Sequence, residues 1–490
     1  MGIMEGTAWQ IVRMALGSLF FWNMLFAIAI IFFQRRDPKS VWAWLLLLFF
    51  LPGLGFIFYL FLGMDLHKRH MFKVKGLEED LHEVIRYQEY QLKNRRPEDF
   101  QGELTEYMDL VMFNMKAADA ILFEENDIDI LTDGNEKFDA LLADLEKAEH
   151  FINMQYYIIR NDLLFDRIVE VLRRKAAQGV EVRVLFDGMG CRKIHHRYWR
   201  RLEQAGIRTA EFFPAFLRRF QLRINYRNHR KIVVIDNQVA YVGGFNIGKE
   251  YIGLEKRFGY WRDTHLRIQG SAVLGLQMRF LLDWNYAVGE NLMQSELMFL
   301  EPPDGKRDHC DLQVISSGPD NLLEQIRDNY VRLITRARKR ICIQTPYFIP
   351  DESLLNALLI AVRSGIEVNL MIPCKPDHPF VYWATYSYMG DLVTAGANCY
   401  IYSNGFLHSK GIIADGEVFC YGTANMDIRS FALNFEVNAV VYNREKALEM
   451  EEIFRKDLVY CTQVTRDSYA ARSLKIRLKE QMCRLLSPLL

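Results

Sequence analysis

Two stretches near the N-terminus carry no charged side chain, Met14–Phe33 and Val41–Leu62, of 20 and 22 residues. At 1.5 Å rise per residue each is long enough to cross about 30 Å of hydrocarbon as a helix. The pattern therefore predicts a membrane hairpin over residues 1–65, with helices at about 14–33 and 41–62. A cleaved signal peptide competes for the first stretch, but the apolar run is too long and no small-x-small site follows. Trp9, Trp22, Trp42, Trp44 and Tyr59 lie in or beside the two runs, several near their ends, as interfacial aromatics do. Basic residues stand in the turn (Arg35, Arg36, Lys39) and after the second run (Lys68, Arg69, Lys73, Lys75), which favours a cytoplasmic body. Pro52-Gly53-Leu54-Gly55 inside the second run leaves a bent or re-entrant path open.

Residues 66–130 turn polar and charged with helical spacing and read as a connector. Beyond them the pattern repeats. AEHFINMQYYII leads through a helical stretch to GVEVRVLFDG, and ARKRICIQTPYFI leads through another to GIEVNLMIPC. Gln155 matches Gln344, Gly179 matches Gly365, and Ala205-Gly206 matches Ala395-Gly396. Apolar runs alternating with helices of this length imply parallel strands and crossover helices. The fold class is α/β, with tandem domains at 131–305 and 306–465. Residues 466–490 form a basic amphipathic helix with Leu474, Leu478, Met482, Leu485 and Leu489 on one stripe, suited to packing on the second domain or lying on a membrane.

The 61 Lys and Arg of this 490-residue chain balance 61 Asp and Glu, and half of the residues are hydrophobic. That composition excludes a disordered, collagen-like or disulfide-framework protein. The eight cysteines form no CxxC or His-containing ligand pattern and read as reduced thiols.

Each half ends in one string: HRKIVVIDNQVAYVGGFN with His229, Lys231, Asp236, Gly244 and Asn246, then HSKGIIADGEVFCYGTAN with His408, Lys410, Asp415, Thr423 and Asn425. Residues two apart on a strand share a face, so each His and Lys project together. Asp236-Asn237 and Asp415-Gly416 read as tight hairpin turns, and these two acids secure the turns more than they touch substrate. The returning strands bring a glycine, where a phosphate can approach the backbone, and an asparagine back to the histidine's level. Such a set suits phosphodiester transfer: one imidazole attacks phosphorus, the other protonates the leaving alkoxide, and lysines and amides hold the oxygens. Each histidine needs an acceptor on its other ring nitrogen. Asp263 in WRDTHLRI and Glu436 in NFEVNAVV are assigned as the orienting carboxylates, in chain order, of His229 and His408. No ligand cluster accompanies the motifs, so catalysis without metal or other cofactor is expected; the adjacent His195-His196 pair lacks partners spaced for an ion.

The duplicated H-x-K-(x)4-D pattern resembles the phospholipase D superfamily. RRDPKS, LPGLGFIFYLFLG, RNHRKIVVID, GGFNIGKEYIG, WRDTHLRIQG, GTANMDIRSFALNFEV and RLLSPLL make nearly the whole chain similar to bacterial cardiolipin synthases. The resemblance implies two phospholipase-D-like domains sharing one interfacial site, catalytic roles for the paired His, Lys and Asp, a bacterial membrane location, and formation of cardiolipin and glycerol from two phosphatidylglycerols. His229 is taken as nucleophile and His408 as general acid, although pseudo-symmetry leaves the reverse open. A hydrolytic phospholipase D or tethered nuclease, and an inert lipid-binding scaffold, are the competing readings. The intact paired residues count against the scaffold.

Neutrality hides a separation of charge. Residues 1–70 carry +3, residues 192–231 carry +10 and residues 466–490 carry +4, so the remainder carries −17. In 192–231, Phe212, Phe213, Phe216, Leu217, Phe220 and Leu222 interleave with arginines, as suits anionic phospholipid at a membrane surface. Single-stranded nucleic acid would suit the same pattern, but a membrane hairpin argues against it.

Overall fold

The computed structural model describes residues 17–18, 21–25, 27–28, 38–51, 53–55, 59, 77–95, 104–214, 226–295, 298, 300, 310–321, 323–375, 377–485 and 487. Much of the first apolar run and the Phe216–Leu222 part of the basic aromatic segment lie outside these residues.

Nine strands belong to the first half: β1 (Leu122–Leu131), β2 (Phe151–Tyr156), β3 (Glu181–Asp187), β4 (Ile207–Phe212), β5 (Arg227–Asn228), β6 (Ile232–Ile235), β7 (Val239–Gly243), β8 (Trp261–Arg262) and β9 (His265–Gln269). Eleven follow: β10 (Cys310–Ser317), β11 (Arg340–Gln344), β12 (Phe348–Ile349), β13 (Glu367–Pro373), β14 (Asn398–Tyr402), β15 (Phe406–Leu407), β16 (Gly411–Ala414), β17 (Val418–Gly422), β18 (Met426–Asp427), β19 (Asn434–Tyr442) and β20 (Cys461–Val464). The main sheet runs β20-β14-β13-β11-β16-β17-β19-β10-β1-β9-β7-β6-β2-β3-β4, so the two repeats are halves of one sheet. β2-β3-β4 and β11-β13-β14 are parallel, as the helix-separated runs predict. The motif strands are antiparallel, because the turns at Asp236-Asn237 and Asp415-Gly416 reverse the chain with φ of 52°, 54°, 57° and 69°. Those left-handed values are the ones a tight hairpin requires and Asp, Asn and Gly tolerate.

The two halves meet where β1 pairs with β10. β1 and the helix Leu104–Ala118 come from the end of the segment read as a connector. That helix buries Leu104, Tyr107, Leu110, Val111, Asn114 and Met115 in the core of the second half, and the Asn114 amide donates to Gln313 at 3.2 Å and Asn329 at 3.0 Å. Its acids face outward, so composition concealed the buried stripe.

Among the described residues no helix is long and apolar enough to cross a membrane. In the second apolar run a helix spans Pro38–Phe50 and stops before Pro52. A continuous helix would separate Trp44 and Tyr59 by about 22 Å at 1.5 Å per residue. Their ring centroids instead lie 5.4 Å apart, edge to face, and both rings are buried with Leu48. A Cβ on Gly55 would sit 2.9 Å from the Leu47 carbonyl oxygen, so the fold-back depends on this glycine. The expected helix over 41–62 is therefore broken, for the reason Pro and Gly break helices: a missing amide donor and a backbone free to turn.

Candidate active site

Each motif histidine begins where a two-residue strand ends. β5 pairs in parallel with β19 (Arg227 opposite Asn434), and β15 pairs in parallel with β8 (Phe406 opposite Trp261). Through these pairs His229 N–H donates to the Phe435 carbonyl at 2.9 Å and His408 N–H to the Arg262 carbonyl at 2.7 Å. Every one of these contacts joins one half to the other.

That exchange decides the carboxylates. His229 Nδ1 lies 3.0 and 2.9 Å from the two oxygens of Glu436, and His408 Nδ1 lies 2.6 Å from Asp263 Oδ2. The pairing by chain order is thus corrected: each acid serves the histidine of the other repeat, because the strand carrying it pairs beside the opposite motif. Lys410 Nζ also lies 2.7 Å from His408 Nδ1, but an ionised carboxylate can only accept, so Nδ1 carries the ring proton and donates it to Asp263. In both rings Nε2 is then the nitrogen left for phosphorus or for a leaving oxygen.

Burial sets the charges. It pulls His229 below the ordinary imidazole value and His408 down to about 4, with Lys410 adding to the second shift. Burial likewise lowers Lys231 to about 7 and Lys410 to about 8. It pushes Asp263 and Glu436 upward, but Lys410 and His408 hold Asp263, and His229 and Lys231 hold Glu436, below the usual carboxylate range. Two neutral imidazoles thus stand on ionised acids, beside two lysines whose cationic form a bound phosphate would favour. Lys231 Nζ donates to the His229 carbonyl at 2.6 Å and Lys410 Nζ to that of His408, so each lysine is seated on its own motif.

The remaining sequence candidates hold this arrangement. Asp236 accepts from the amides of Glu149, His150 and Phe151 at 2.6, 3.0 and 2.6 Å, and Asp415 from those of Arg338, Lys339 and Arg340 at 2.7, 2.8 and 2.9 Å. Both clamp the start of the neighbouring strand at the hairpin end. A Cβ on Gly244 would collide with the Asp263 carboxylate, so this glycine makes room for the acid. At the equivalent place the Thr423 hydroxyl donates to Glu436 at 2.5 Å. Asn246 Oδ1 accepts from Ile158 N–H at 3.0 Å; Asn425 Nδ2 donates to Ser430 at 3.3 Å, while its buried Oδ1 has no partner. Among the described residues no group of three or more His, Cys, Asp or Glu could hold a metal ion. His195 accepts from Arg197 N–H at 3.2 Å and caps the helix His196–Gln204.

Sequence reasoning missed the supports behind the motifs. Arg230 is buried, donating twice to Asp283 at 2.7 and 2.8 Å and to the carbonyls of Glu436 and Ser317. Arg262 reaches Asp457 of the other half at 2.9 Å. Gln155 and Gln344 donate to these same acids, Asp283 at 2.6 Å and Asp457 at 2.8 Å. Their recurrence was the signal that could have pointed to both acids.

The family model described as "Cardiolipin synthase, PLD-like domain" matches residues 141–257 and 330–458, and a phospholipase D-nuclease N-terminal model matches 22–63. A cardiolipin synthase of Oceanobacillus iheyensis is 48% identical over 98% of this chain and 100% of its own length. The major cardiolipin synthase ClsA of Bacillus subtilis is 48% identical over 96% of this chain and 98% of its own. In fold, a phosphatidylserine synthase from Haemophilus influenzae superposes with TM-score 0.58 over 78% of this chain and 97% of its own, at 13% identity. By sequence and by architecture the chain belongs to the cardiolipin synthase family of tandem phospholipase-D-like proteins.

Proposed function

We propose that the protein joins two phosphatidylglycerol molecules into cardiolipin, releasing glycerol, through a phosphohistidine intermediate. The observation that carries the mechanism is the crossed pair His229–Glu436 and His408–Asp263, which presents two oriented imidazoles with free Nε2 atoms. One Nε2 attacks the donor phosphorus as the P–O bond to glycerol breaks, and the other imidazole, which takes up a proton on Nε2 as the anionic substrate binds and is then an imidazolium, gives that proton to the departing oxygen. That second imidazole then takes the proton of the acceptor hydroxyl, whose oxygen displaces the first histidine. Lys231 and Lys410 offset the charge on the phosphoryl oxygens. His229 is the proposed nucleophile and His408 the acid, and Asp236 and Asp415 act by positioning the strands.

Two features support work at the bacterial cell membrane. One is the folded-back apolar segment around Trp44 and Tyr59. The other is the helix Leu474–Leu485, which buries Cys483 and Glu480 against its own domain but exposes Leu474, Leu478, Met482 and Leu485 by 60–83% beside Lys475, Arg477 and Lys479. An apolar stripe flanked by cations fits an anionic bilayer surface. Incubating the purified protein with vesicles of phosphatidylglycerol alone tests the function: cardiolipin and glycerol in equal amounts are expected. Phosphatidic acid without cardiolipin would refute transfer, and label from the phosphate persisting on both His229→Ala and His408→Ala would refute the intermediate.

A further inference from the structure

On its His408 flank the site reaches the surface through a run of rings. Trp261 lies 5.0 Å from the His408 imidazole, Phe258 lies 5.2 Å from Trp261, and the Arg257 guanidinium stands 5.0 Å from the Phe258 ring. Arg257 donates to the Asp377 carbonyl at 3.2 Å, which ties the loop 253–260 of the first half to the segment entering the helix Pro379–Ala395 of the second. This lip turns two large apolar side chains to solvent, Leu254 at 55% exposure and Phe380 at 61%. Lys256, Arg257, Lys375 and His378 stand exposed around them, while the acids Glu255 and Asp377 are engaged by Lys249 at 3.2 Å and by the Tyr347 hydroxyl. The helix Pro379–Ala395 carries the surface on to the C-terminal helix Leu474–Leu485. Lys479 lies 5.0 Å over the Trp383 ring, Arg484 lies 4.3 Å over that of Tyr388, and Arg484 pairs with Asp391 at 2.7 Å. These contacts step along both helices in the same direction, so the helices lie side by side in parallel. The exposed Leu474 and Leu478 of one therefore fall toward the Phe380 end of the other.

Single exposed apolar side chains need no explanation, but a continuous series flanked by cations marks a surface that meets apolar and anionic matter together. An anionic bilayer offers both, acyl chains to Leu254, Phe380 and the leucine stripe, and headgroup phosphates to Lys256, Arg257, Lys375, Lys475 and Lys479. We propose that this face, from the loop 253–260 across Phe380 to the helix Leu474–Leu485, docks on an anionic phospholipid bilayer, with Leu254 and Phe380 inserted below the phosphates. Docked so, the rings of Phe258 and Trp261 stand between the bilayer surface and His408, and a lipid phosphate reaches the imidazole while its acyl chains stay in the membrane. The far end of the motif strand supplies a reference: Leu448, 44% exposed, lies against the Asp415-Gly416 hairpin, at the opposite end of that strand from His408.

The inference rests on the phosphatidyltransferase reading, but collision accessibility measures it without turnover. Full-length protein, with the partly exposed Cys374 and Cys461 replaced by serine, is reconstituted in phosphatidylglycerol vesicles. A nitroxide is attached through Leu254→Cys, Phe380→Cys, Leu478→Cys or, as reference, Leu448→Cys. Oxygen, which concentrates among acyl chains, should relax the first three labels more than a water-soluble nickel chelate does, with the order reversed at the reference. A second measurement compares cardiolipin formed from long-chain vesicles with that formed from monomerically dispersed short-chain phosphatidylglycerol. In the Leu254→Ser, Phe380→Ser double variant the ratio of the two rates should fall about tenfold, the factor for one apolar side chain's transfer from water. Chelate-dominated relaxation at the Leu254 and Phe380 positions, matching the reference, overturns the docking face, as does an unchanged ratio. Dipolar broadening between Phe380→Cys labels of two copies would overturn it too and assign the face to a second copy of this chain. Absence of cardiolipin from both lipid forms with the unsubstituted protein would overturn the functional reading, while the collision data would still decide the face.

Discussion

The aspartates of the repeated motif should govern stability and leave the chemistry intact, and Asp415→Asn tests this most cleanly. Asp415 Oδ1 accepts from Lys339 and Arg340 and Oδ2 from Arg338, at 2.7–2.9 Å. An asparagine keeps one oxygen for the first two amides and tolerates the φ of 57°. Its NH2 then faces the Arg338 amide, donor against donor, and the two surviving bonds lose their charge. One hydrogen bond to a charged group is worth about 1.5–3 kcal/mol. Because Arg338 is exposed, water recovers part of that, and a net loss of about 2 kcal/mol is expected. For a domain of this size the loss lowers Tm by about 4–8 °C. The assay pairs thermal unfolding with kcat per active site, counted by trapped phosphohistidine at 25 °C. Tm should fall with kcat inside about threefold of the unsubstituted value. A hundredfold loss of kcat at unchanged Tm would refute the reasoning and place Asp415 in the chemistry.

Further outcomes follow from the same geometry. Glu436→Gln should lower kcat/KM by about a hundredfold, near 2.7 kcal/mol, and shift the imidazole NMR signals of His229 but not His408; Asp263→Asn should do the converse, and the opposite assignment would refute the crossed pairing. With Lys231 lowered to about 7 and Lys410 to about 8, protons leave both lysines as pH rises from 6 to 9. Binding of a phosphate mimic such as vanadate should weaken across that window, and flat affinity would refute cationic lysines as its anchor. Trp44→Cys with Tyr59→Cys should form a disulfide within one chain in membranes on mild oxidation, which a continuous helix would forbid.

Much of the site was legible because its information is local. H-x-K on a strand places two side chains on one face whatever the rest of the chain does, and Asp-Asn or Asp-Gly between β-branched runs reverses it. Doubling that string reveals two equivalent domains, and even the remote Gln155 and Gln344 stood at matching places. What the residues alone could not assign was the partner across the sheet. Glu436 is 207 residues from His229 and Asp263 is 145 from His408, and chain order suggested the opposite matches. Only parallel pairing of β5 with β19 and of β15 with β8 brings each acid beneath the other repeat's imidazole. The charged look of residues 104–131 likewise hid a helix and a strand at the joint of the two halves, since burial depends on which face meets a neighbour. Local periodicity determines which side chains share a face, and tertiary packing, where distant strands exchange carbonyls and amides, determines which faces meet.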